Sequence, residues 1–328
     1  MVEIIFSVST PLVDIEDNHK YKIFDSHVHI WGHRYFNEYL EYITKFGVEG
    51  ILGIGGRDLK KKLESNGMVN NIVFCDYLSS YDFLKFKAHK LRDQIDKAHA
   101  NEISHLKIFF GPRFQFFTRN KNPFRINDHR LDSVYSHIED YDLTVLMHVA
   151  DPDISYMNKY RNTHKYGLKN DRINDFSNIL ENFPKIKMIS AHLGSLPENL
   201  NRLSELLDKH PQLYVDTAST RWMIRELGKD VKKSKEWFEK YQDRILFGSD
   251  LGNVELNIKF FLSKHRREYF WGSRYWSQRL FWETSHQAPL PFKDKDNPDW
   301  TKINGLNLSK STLEKMYYKN AMNLFSVL

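Results

Sequence analysis

Eight short runs of β-branched and aromatic residues punctuate this chain, and charged stretches of helical spacing lie between them. The runs are YKIFDSHVH (21–29), VEGILGIGG (48–56), NIVFCDY (71–77), HLKIFFG (105–111), LTVLMHVA (143–150), IKMISAHLG (186–194), QLYVDTAS (212–219) and RILFGSDLG (244–252). Mostly apolar on both faces, they read as strands covered on two sides. Helical spacing shows in YDFLKFKAHKLRDQIDKAHANE, DRINDFSNILENF, PENLNRLSELLDKH, VKKSKEWFEKYQ and SKSTLEKMYYKNAMNLF. Pro197 with Glu198, and Ser309, mark two of the helix starts. Buried strands alternating with helices predict α/β architecture, a single (β/α)8 TIM barrel with long loops after strands 4 and 8. The 328 residues suit one such catalytic domain, 1–328, with residues 1–20 as an N-terminal arm.

His27 and His29 stand one residue apart in the first run, so in a strand their side chains share a face. His148 closes the fifth run, His192 the sixth and Asp250 the eighth. The C-terminal strand ends of a barrel converge, which predicts that these five residues meet. Each alone reads as a hydrogen-bonded rim residue. Five polar groups closing otherwise apolar strands would be costly to bury without a shared purpose. A divalent metal supplies one, because it takes imidazole and carboxylate ligands and acidifies a bound water toward neutral pH. A set made only of His and Asp points to one ion, zinc first, with Mn, Fe or Co as other occupants.

Composition narrows the alternatives. The single cysteine, Cys75, excludes an intrachain disulfide framework and cysteine-rich zinc motifs, and reads as strand core. A formal net charge of +6, from 48 basic and 42 acidic residues spread along the chain, comes with no recognition motif, so no nucleic-acid partner is expected. It is compatible with an anionic small-molecule substrate. No apolar run is long enough for a membrane span, and MVEIIFSVSTPLVDIEDNHK lacks the features of a secretion signal, so a cytoplasmic location is expected.

Two segments interrupt the alternation, 111–129 and 251–308. Both leave C-terminal strand ends and are read as walls or a lid over a pocket. Their aromatic residues would serve a homo-oligomer interface as readily. Arg113, Arg119 and Arg125 in the first segment, and Arg221 after strand 7, are candidates for binding a substrate carboxylate. Asp25 is a candidate to orient a ligand histidine, Asp151 and Asp153 to cap the turn in ADPD, and Glu283 to reach the pocket.

From about Ile23 to Phe325 the chain resembles the amidohydrolase superfamily, in particular its amidohydrolase-related (amidohydrolase 2) branch of barrel hydrolases and decarboxylases. The resemblance lies in DSHVH after the first strand, the lysine of LKIFFG, the histidines closing strands 5 and 6, GSD closing strand 8, and YYKNAMNLF at the end. It implies that His27, His29 and His148 bind the metal, that Asp250 ligates it or takes a proton from its water, and that His192 is a second-site ligand or acts on the substrate. Lys107 is implied either as a carboxylated bridge between two metals or as an unmodified inward cation paired with Asp250, where it would contact substrate. The expected activity is hydrolysis of a small ester, lactone or amide, with Asp250 as general base and His192 as polariser of the carbonyl oxygen. Non-oxidative decarboxylation of a small carboxylic acid is the first alternative, and a non-catalytic binding barrel the second.

Overall fold

A computed structural model of the chain describes residues 21–65, 67, 71–117, 124–253, 263–297 and 301–326. The expected N-terminal arm lies outside them. All eight runs contain strands: β1 Ile23–His29, β2 Val48–Gly55, β3 Ile72–Tyr77, β4 His105–Phe109, β5 Thr144–His148, β6 Lys187–Ser190, β7 Leu213–Asp216, and an eighth run split into β8 Ile245–Leu246 and β9 Leu251–Gly252. They form one parallel sheet in the order β8-β7-β6-β5-β4-β3-β2-β1-β9. Residues 245–252 close the barrel: β8 pairs with β7 and β9 with β1. Between them Ser26 N donates to Phe247 O (2.8 Å) and Asp250 N to His27 O (2.9 Å).

Phe24, Leu52, Ile54, Cys75, Leu146, Ile189 and Leu246 fill the barrel interior, joined by Ala321 and Phe325. Phe325 packs on Phe24 (ring centroids 5.6 Å) and on His105 at the start of β4 (5.0 Å), so the final helical residues, 310–325, stopper the N-terminal end. The C-terminal end is left for the site.

β1 carries a bulge. Asp25 pairs with Ile51 and Val28 with Gly53, so three steps along β1 match two along β2. Strict alternation would put Asp25 on the face of His27 and His29. Instead its carboxylate meets the outer layer, where Oδ2 accepts from Tyr275 Oη (2.6 Å) and Oδ1 accepts from the backbone N of His27 (3.1 Å) and Ser249 (3.0 Å). Asp25 therefore orients the backbone of His27 and not its ring. Tyr275 belongs to the helix Lys264–Glu283, the described core of the 251–308 excursion. That helix buries Trp271, Tyr275 and Trp282 and packs against the helices Phe36–Ile43 and Thr220–Leu227, in the outer layer of the barrel. Residues 254–262 and 298–300 of the expected lid lie outside the described residues.

Local departures from expectation have local causes. The helix expected over 81–102 is two, Ser80–Leu84 and Ala88–His99, broken where Phe86 takes φ 48° and stacks on Phe124. Pro197 and Glu198 do not open the next helix: Asn199 caps Leu200–Lys209 by accepting from Arg202 N (3.1 Å), while Glu198 pairs with Lys169. Ser309 caps the final helix by accepting from Thr312 N, as expected. Among the described residues no helix is long and apolar enough to cross a membrane.

Two predictions follow from these contacts. Tyr275→Phe keeps the ring but removes the bond to Asp25, which should cost about 1.5–3 kcal/mol in urea unfolding; an unchanged midpoint would mean that Asp25 is anchored without it. Burial, then the Lys187 charge, pushes His105 down to about 4, and its Nδ1 is buried without a partner among the described residues. Its folded pKa lies below the unfolded value near 6.5, so the unfolded chain binds the extra proton and stability falls as pH drops from about 7 to about 4. His105→Leu should flatten that loss by up to roughly 3 kcal/mol, read as the difference between the two pH-stability curves.

Candidate active site

The strand ends converge as the sequence predicts. His27 Nε2 lies 3.5 Å, and His29 Nε2 3.2 Å, from Asp250 Oδ1. Ligand atoms of His27, His29 and Asp250 all fall within 4.8 Å of one another, and those of His27, His192 and Asp216 do the same. His148 joins through His192, its Nδ1 3.1 Å from His192 Nε2. The buried Lys107 places Nζ 3.1 Å from His27 Nε2; the partner expected of it was Asp250, and the contact it makes is with the imidazole.

Two carboxylates fix ring orientations from behind. Asp216 Oδ2 lies 2.8 Å from His27 Nδ1, and Asp151 Oδ1 lies 2.9 Å from His148 Nε2. A ring that donates one N–H in this way leaves its other nitrogen bare toward the site. With His148 Nδ1 bare, His192 Nε2 beside it either donates to it or shares a cation with it. Asp151 thus serves the histidine and does not merely cap the ADPD turn, and Tyr160 donates to its second oxygen (3.0 Å). Asp153 pairs with Lys169.

Burial and then Lys107 push His27 down to about 4; burial and then His148 push His192 down to about 3. Both rings are neutral at neutral pH, the form a metal takes. Burial would raise Asp250, but the bond with His29 and the neighbouring imidazoles outweigh it and hold the carboxyl below the usual carboxylate range. Burial also lowers Lys107, against the opposing pull of Asp216 and Asp250.

Backbone geometry, more than rotamer choice, aims these groups. β6 stops at Ser190, short of the expected 194, and His192 (φ 60°), Leu193 (φ 50°), Gly194 (φ 62°) and Ser195 (φ 63°) wind left-handed. Ser219 after β7 (φ 67°) and Asp250 after β8 (φ 60°) are left-handed too. Such a conformation costs roughly 1–2 kcal/mol per non-glycine residue. At Gly194 an added Cβ would also lie 3.0 Å from Leu203. Compensation is local: Leu193 is fully buried, His192 N donates to Asp216 Oδ1 (2.6 Å), and Ser195 Oγ donates to Ala150 O while accepting from Ala150 N (3.2 Å).

Aromatic rings surround the cluster. Trp31 stacks on His29 (5.0 Å, 4° between planes), Phe109 meets His148 edge-on (4.9 Å), and Trp222 meets His192 edge-on (5.1 Å). The sequence reading missed these three and Asp216. Asp216 carried the usable signal, since it closes LYVD as His148, His192 and Asp250 close their strands.

The expected substrate arginines stand apart. Arg113 is exposed on the turn Pro112–Phe117; Arg221, half-buried in the first turn of Thr220–Leu227, acts on Asp296. No hydrogen bond or ion pair joins either to the cluster among the described residues. Arg125 is taken by Asp175, and Arg119 lies outside the described residues. Glu283 bonds Arg279 and Tyr317 in the outer layer, away from the strand ends.

A family model described as Amidohydrolase matches residues 80–327, a span that includes Lys107, His148, His192, Asp216 and Asp250 but not His27 or His29. Comparison with curated protein sequences gives no match. Among solved structures, an uncharacterised TIM-barrel protein from Bordetella bronchiseptica superposes with a TM-score of 0.56 at 12% identity, over 93% of this chain and 98% of the other. A probable 2-pyrone-4,6-dicarboxylic acid hydrolase from Acinetobacter baumannii gives 0.53 at 9%, over 93% and 100%. Amidohydrolase 2 from Bifidobacterium longum subsp. infantis gives 0.50 at 13%, over 94% and 100%. At these identities the likeness is one of fold.

The left-handed turn yields a prediction. Ser195→Ala strands a buried N–H and a buried C=O on Ala150 and should lower stability by about 1–3 kcal/mol in thermal or urea unfolding. A loss below about 0.5 kcal/mol would show that Ser195 does not hold the turn.

Proposed function

The chain belongs to the amidohydrolase family, a family of hydrolases and decarboxylases whose members generally bind a divalent metal, and from that premise we propose that it is a metal-dependent hydrolase of a small ester, lactone or amide. The observation that carries this reading is the triad His27, His29 and Asp250 at the mouth of the barrel, with its ligand atoms within 4.8 Å. Two imidazoles and an ionised carboxylate are a donor set that suits zinc, with Mn, Fe or Co as alternatives. The family resemblance adds His148 to this set, from the end of β5, where it lies beside His192. A divalent ion bound there supplies a Lewis acid that brings the pKa of water toward neutral.

The chain's own groups do the rest. Asp250, ionised and a third exposed, takes the proton from the attacking water and returns it to the leaving group. His192, neutral and buried beside His148, is assigned the role of polarising the carbonyl oxygen. Lys107 beside His27 favours an anionic substrate. Trp31, Phe109 and Trp222 wall the approach.

Metal content per chain, by elemental analysis of protein purified without chelator, tests the premise. About one ion is expected, lost in the His27→Ala, His29→Ala double variant. Two ions would assign Lys107 to a carboxylated bridge, and none after reconstitution with zinc or manganese would overturn the reading. Acidification of weak buffer by a member of an ester and lactone panel identifies a hydrolase; carbon dioxide release from a carboxylic acid with esters untouched identifies a decarboxylase. His148→Ala and Asp250→Ala should each abolish turnover in a folded protein, and full activity in both would remove these residues from the site.

A further inference from the structure

Asp216 makes two kinds of contact at once. One carboxylate oxygen lies 2.8 Å from His27 Nδ1; the other accepts from the backbone N of His192 (2.6 Å) and of Ala218 (3.0 Å). The residue is fully buried at the end of β7, between the strand that carries His27 and the turn that carries His192. An ionised carboxylate accepts at both oxygens, whereas an amide of the same shape accepts at one and donates at the other. With His27 as the Nδ1–H tautomer, both of these contacts therefore require the carboxylate. Asp151 performs only the first task, holding the ring of His148.

Accepting from Nδ1–H leaves His27 Nε2 bare, and that nitrogen faces Lys107 Nζ and Asp250 Oδ1. The second oxygen holds the first left-handed residue of the 192–195 turn, whose backbone direction decides where the His192 ring sits. We propose that Asp216 is a positioning residue that commits His27 to its Nδ1–H tautomer and ties the His192 turn to it, so that a single carboxylate sets the His27 imidazole for a divalent cation and places the His192 ring beside it. The consequence for the cation rests on the metal-dependent reading above. The tautomer does not.

Two measurements test this. In the metal-free wild type, proton–nitrogen correlation spectra of the histidine rings, assigned with His27→Gln, should show His27 protonated at Nδ1 and bare at Nε2; an Nε2–H ring overturns the proposal. In Asp216→Asn either one of the two contacts fails or the amide NH2 donates to Nδ1 and His27 turns to its Nε2–H tautomer, which blocks the nitrogen facing the site; zinc affinity measured by competition with a chromophoric chelator should therefore fall 10- to 100-fold while circular dichroism stays native. Unchanged affinity in a folded variant overturns it as well. Should the variant not fold, the wild-type tautomer decides. A wild type that takes up no zinc, manganese, iron or cobalt removes the metal reading, and the tautomer still decides what Asp216 does.

Discussion

The buried carboxylate of Asp25 is the joint on which the rest of the barrel depends. It receives donors from β1, from the closing segment and from the outer helix, so two stretches of the barrel wall and the helix outside them, all far apart in sequence, are tied at one side chain. Burial pushes its pKa up to about 6 even against those donors, so at neutral pH it is a charge held away from water. Such a group tolerates little displacement, because each lost donor leaves a charge less solvated. The bulge makes this possible by turning Asp25 outward while His27 and His29 still face the mouth.

Rigidity at the other strand ends is reached by a different route. Left-handed residues after β6, β7 and β8 aim His192, Ser219 and Asp250 through the backbone, which has fewer alternatives than a side-chain rotamer. The unfavourable torsions persist because surrounding bonds over-determine them, above all those of Ser195 and Asp216. Neutral imidazoles and an ionised carboxylate are thereby held close together before any ligand arrives.

The eight strands were legible because a strand buried on two faces must be apolar at nearly every position, and polar residues closing such strands stand out against that background. What stayed hidden depends on partners or on irregularity. A bulge at Asp25 has no periodic signature. The break of the eighth strand at 247–250 and the left-handed turn announce themselves only through Gly248 and Gly194, and glycine has many other uses. Arg125 and Glu283 looked available in sequence, yet Asp175 and Arg279 hold them; the first pairing, 50 residues apart, does not follow from spacing along the chain, whereas Arg279 and Glu283 stand four apart on one helix and that pairing was legible. Asp216 was legible by the same rule that exposed Asp250 and was passed over because the histidines drew the eye.

The seam at residues 245–252 has a consequence for how the molecule is born. β1 lies near one end of the chain and β9 more than two hundred residues later, yet His27, His29 and Asp250 meet only where the two pair. Contacts of such long sequence separation form late, after the loop entropy of the whole intervening chain has been overcome. A nascent chain still threading through the ribosome before Gly252 has emerged holds the two histidines but not the carboxylate. Competence at this centre therefore arrives in one step, at ring closure, and cannot be acquired piecemeal during synthesis.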